Sequence, residues 1–95
     1  MNKIKSIEKL LNLFSMEENG WEIRDHWDGD MAAIGIVKKG HGDRLAYIRV
    51  PNEKADRYDY ELETNSSYDT DYTVAGRGTN VDFKTLFSII KSHLG

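Results

Sequence analysis

Three histidines, His26, His41 and His93, are the side chains of this 95-residue chain that ordinarily titrate near neutral pH, and the run DHWDGD sets Asp25, Asp28 and Asp30 around the first of them. Histidine and aspartate both bind metals and move protons, so spacing must decide between chemistry and scaffold. A calcium loop of the EF-hand type needs acids at alternating positions, a glycine at the sixth and a glutamate at the twelfth, and DHWDGD fits it poorly. Asp28-Gly29 between two strand-like runs is instead a two-residue hairpin signal, and such a turn does not bring the acids together. His93 falls in the last turn of a C-terminal helical pattern, where a cation suits the dipole, and His41 lies in the turn KKGHGD. His26 alone offers catalysis, as a strand general acid–base beside Glu22 and Arg24 in a metal-independent ribonuclease. No second histidine clearly joins it, and acidic neighbouring strands would repel a phosphate substrate.

Other catalytic signatures are weaker still. GRGTN stands before a helical pattern as a phosphate loop does, but it lacks both G-x-G-x-x-G and the G-K-[ST] ending. No serine sits in a glycine elbow. With no cysteine there is no disulfide, thiolate nucleophile or Cys-ligated metal, and the cytoplasm is the expected compartment. These observations lead us to expect no enzyme, no cofactor and no metal centre.

Charge is distributed more informatively than chemistry. Residues 52–72 hold seven acids (Glu53, Asp56, Asp59, Glu61, Glu63, Asp69, Asp71) against Lys54 and Arg57, so this stretch carries −5 while the whole chain carries −3 and the remainder +2. Its core, YDYELETNSSYDTDY, spans residues 58–72 and alternates acids with tyrosines. Acids are poor strand formers and repel across a hairpin, and local choices that work against a fold tend to mark function. The competing reading is a solvated strand face whose carboxylates suppress aggregation. A net negative charge argues against nucleic-acid binding, which needs clustered Lys and Arg.

The elements that position these residues follow from periodicity. Ile4, Ile7, Leu10, Leu11 and Phe14 recur at helical spacing and predict a helix over residues 3–17, ended by Asn19-Gly20. The period then changes to two. WEIRDHW, MAAIGIV, RLAYIRV, YDYELET and TDYTVAG predict five strands, with Trp21, Ile23, Ile34, Ile36, Tyr60, Leu62, Tyr72 and Val74 inward. In RLAYIRV two faces compete, Leu45/Tyr47 against Ala46/Ile48/Val50. GRGTN predicts a glycine-rich turn, Thr79 or Asn80 a helix cap, and Phe83, Leu86, Phe87, Ile90 and Leu94 a terminal helical stripe. Connections too short for parallel crossovers imply an antiparallel meander. The expected fold is one α+β domain over residues 1–95, two-layered, with a five-stranded antiparallel sheet and both terminal helices on one face.

That layout leaves the other sheet face for a partner. Alternation places Glu22, Arg24, His26, Asp59, Glu61, Glu63, Asp71 and Thr73 there, Asp69 adds its charge from the turn of the acidic hairpin, and Tyr58, Tyr68 and Trp27 are apolar anchors if exposed. The sequence therefore points to a small soluble binding protein that engages a basic protein, such as an immunity protein or inhibitor of a nuclease toxin. The alternative is a non-enzymatic structural or regulatory module, monomeric or homodimeric. No membrane segment is expected, since no apolar run approaches the length a spanning helix needs.

Overall fold

The structure, a computed structural model, describes residues 3–24, 29–53, 56–64 and 73–95. Its elements are α1 (Lys5–Leu13), α2 (Met16–Asn19), β1 (Trp21–Ile23), β2 (Ala33–Lys38), β3 (His41–Arg49), β4 (Tyr58–Thr64), β5 (Thr73–Val81) and α3 (Phe83–Leu94). The strands form one antiparallel sheet in chain order, β1-β2-β3-β4-β5, as the short connections require. Helices at both ends of the chain cover one face, giving the two-layer α+β arrangement expected from the alternation of periods.

The N-terminal helix is shorter than its stripe suggests. It stops at Leu13, Ser15 turns left-handed at φ 51°, and the single turn of α2 follows and ends on Gly20 at φ 68°. Asn19 secures this break, its Nδ2 donating to the carbonyls of Phe14 at 2.8 Å and Ser15 at 3.2 Å. The bend directs Phe14 into an aromatic cluster, with ring centroids 5.7 Å from Trp21, 5.6 Å from Phe83 and 6.1 Å from Phe87. Each large apolar side chain so buried stabilises the fold by roughly 1.5–3 kcal/mol.

Register resolves the strand whose faces compete in sequence. Ala46 lies between Ile36 and Leu62, and Ile48 between Ile34 and Tyr60, so Ala46, Ile48 and Val50 face the helices with Ile7, Leu10, Leu86 and Ile90. The helix-free side is not wholly polar, because Ala33, Val37 and Leu45 are also buried. His41, expected in a turn, opens β3 opposite Lys38, and Gly40 takes the positive φ of 77° between them.

The last strand departs most from expectation. Residues 76–81 continue β5 where a glycine-rich turn and a cap are predicted. Two register shifts against β4 absorb extra residues, and at the second Asn80 adopts φ 56° while its N–H donates to Asp59 Oδ1 at 3.0 Å. The cap of α3 is therefore neither Thr79 nor Asn80 but Asp82. Val74, expected inward, pairs with Glu63 and is 37% exposed. The bulge beyond it turns Gly76 and Gly78 to the helix side, where Leu62 and Tyr60 lean over them. Tyr72, Trp27 and the Asp28 half of the expected hairpin turn lie outside the described residues.

Candidate sheet-face binding site

Cross-strand register sorts the helix-free face into rows. One row runs Glu22, Val37, Leu45, Glu63, Val74; the next contains Gly35, Tyr47, Glu61 and Arg77; the third contains Ala33, Arg49 and Asp59. Arg24 extends the second row, its N–H donating to the Gly35 carbonyl at 2.9 Å, and its guanidinium fills the space a side chain at Gly42 would need.

The residues singled out in sequence do not behave alike on this surface. Asp59 and Glu61 sit where expected, on the helix-free face and partly accessible. Glu22 is exposed in the same row as Glu63, but three strands away, roughly 14 Å by sheet spacing, so it does not join them. Glu63 is only 6% exposed, between Leu45 and Val74, and presents no carboxylate row to a partner. Its carbonyl accepts from His93 Nε2 at 3.0 Å, which ties the last turn of α3 to β4. Tyr58 is 4% exposed and belongs to the core, so it cannot serve as a surface anchor; burial, and secondarily the charge of Asp56, pushes its phenol above the ordinary pKa. Asp69, Asp71 and Tyr68 lie outside the described residues, as do Asp25, His26 and Asp28.

Side chains that sequence reasoning did not place on the binding face complete the surface. Tyr47, Arg49 and Arg77 join Asp59 and Glu61 around a shallow groove of about 450 Å³ that reaches Tyr60, Gly78 and Thr79. Arg77 Nη2 lies 4.0 Å from Glu61 Oε2, with the arginine side chain 68% and the glutamate 28% exposed. Such a partly solvated pair contributes about 0–1 kcal/mol. Arginines are thus interleaved with the carboxylates, and the repulsion expected between acids is relieved where Glu61 meets Arg77. Tyr47 is held above its ordinary pKa first by burial and then by Asp30, with Glu61 and Asp59 adding to the rise and Arg49 opposing it. The signal for Tyr47 and Arg49 was their alternation with Ile48, readable only once the inward face of β3 was known.

No group of three or more potential metal ligands occurs among the described residues. Comparison with protein-family models, curated proteins and solved structures returned no match.

Proposed function

We propose that the chain is a small binding protein, without a reaction of its own, that engages a basic protein through the helix-free face of β3, β4 and β5. The observation that carries this reading is the placement of Asp59 and Glu61 beside a groove on the sheet side opposite the helices. The local excess of acid in residues 52–72 supplies the longer-range attraction. Charge complementarity of this kind chiefly speeds encounter and selects the partner. In its finer form the partner is a nuclease toxin, and the carboxylates stand where nucleic-acid phosphates would bind, as in an immunity protein or inhibitor.

Sequencing the adjacent reading frames for a protein with a basic, toxin-like domain, followed by co-expression with that protein, tests the proposal. The chain is expected to co-purify with it, and the double variant Asp59→Asn/Glu61→Gln to lose most of the complex. Undiminished recovery of the complex with that variant would remove the sheet face from the interface.

A further inference from the structure

Resting on that reading, we propose that the groove receives a guanidinium side chain of the partner and that Arg77 holds the place in the free protein. The groove offers what a planar, five-donor cation needs: the Tyr47 phenol with carboxylates on two neighbouring positions of β4. Neither carboxylate is fully committed. Asp59 gives one oxygen, Oδ1, to the Asn80 N–H at 3.0 Å. Glu61 meets Arg77 only at 4.0 Å, the outer limit of an ion pair, and the Arg77 side chain is 68% exposed. Displacing Arg77 into water therefore costs little. At the β5 edge the groove ends against Gly78, where the Tyr60 ring occupies the space a side chain would take. Arg49 and Arg77 balance Asp59 and Glu61 around the groove, so the protein's own arginines compete with the ligand for the carboxylates.

This competition gives opposite signs to two substitutions on one groove. The full chain, isotope-labelled, is titrated at low salt with a blocked Gly-Arg-Gly peptide, and with the Lys and Glu counterparts, while amide shifts are followed by NMR. The arginine peptide is expected to move Tyr47, Glu61, Arg77 and Gly78, and to bind more tightly than the lysine peptide. Arg77→Gln should tighten it about two- to five-fold, and Glu61→Gln weaken it about five-fold or more. An unchanged spectrum away from the groove shows that each variant is folded. Preference for the glutamate peptide, or weaker arginine binding in Arg77→Gln, overturns the inference. If no peptide binds the groove while the basic partner is still lost in Asp59→Asn/Glu61→Gln, the guanidinium site fails and the sheet-face reading stands.

Discussion

Asp82 shows how much one side chain decides at the scale of a residue. Its Oδ1 accepts from the Thr85 N–H at 2.8 Å and closes the first turn of α3. The side-chain and backbone hydrogen bonds with Thr85 hold its carboxyl below the ordinary value of 3.8. A lowered folded-state pKa means that the ionised form is preferred in the fold. The stabilisation is complete above the unfolded pKa and disappears as pH falls through the folded one. Thermal unfolding of Asp82→Ala should therefore show a lower midpoint at neutral pH, with the difference from the parent shrinking below about pH 4. Sequence offered Thr79 and Asn80 as caps, and the pairing of β5 with β4 carries the strand past both, so that the cap falls on Asp82. Glu63 was misplaced for a related reason: alternation assigns its face correctly, but not how deeply its neighbours Leu45 and Val74 enclose it.

At the scale of an element, β5 is the least legible part of the chain and the most instructive. Glycines punctuate strands often enough that GRGTN reads as a turn. Here Gly78 is needed inside the strand, because a Cβ would lie 2.5 Å from Tyr60 Cε1, whereas a Cβ at Gly76 would rest 3.7 Å from Leu62 Cδ1. The two glycines thus have different roles in one strand. Gly78→Ala is expected to destabilise by about 1–3 kcal/mol by driving the Tyr60 ring from its place, and Gly76→Ala to stay within about 0.5 kcal/mol of the parent. Urea unfolding of the two variants side by side decides this, and equal losses would contradict it. The long helical stripe misled in the opposite sense, since Ile7, Leu10 and Phe14 keep their inward side even though the helix breaks before Ser15. Strand existence and pairing, by contrast, were readable almost throughout: the period-two runs place β2, β3 and β4, and the short connections dictate their antiparallel order.

Over the whole molecule charge is unevenly distributed along the chain. Around the C-terminal end of α3, Arg44 donates to the His93 carbonyl at 3.3 Å, and Lys91 donates to Asn19 Oδ1 at 2.8 Å while standing 5.9 Å from the centroid of Trp21. These cations lie where the helix dipole favours them. The acids of residues 52–72 give the chain its negative excess, so the net charge of −3 conceals a polar distribution. The candidate site was half visible in sequence: Asp59 and Glu61 follow from alternation, while Tyr47, Arg49 and Arg77 required the register that brings three strands together. Steering by such a surface acts over about 10 Å at 0.1 M salt, which makes its signature kinetic. The most direct test of the sheet-face account is the association rate with the basic partner, measured by stopped flow against ionic strength for the parent and Asp59→Asn/Glu61→Gln. The account predicts a steep fall of the parent's rate with salt and a variant about ten-fold slower at low salt; equal rates at every ionic strength would contradict it.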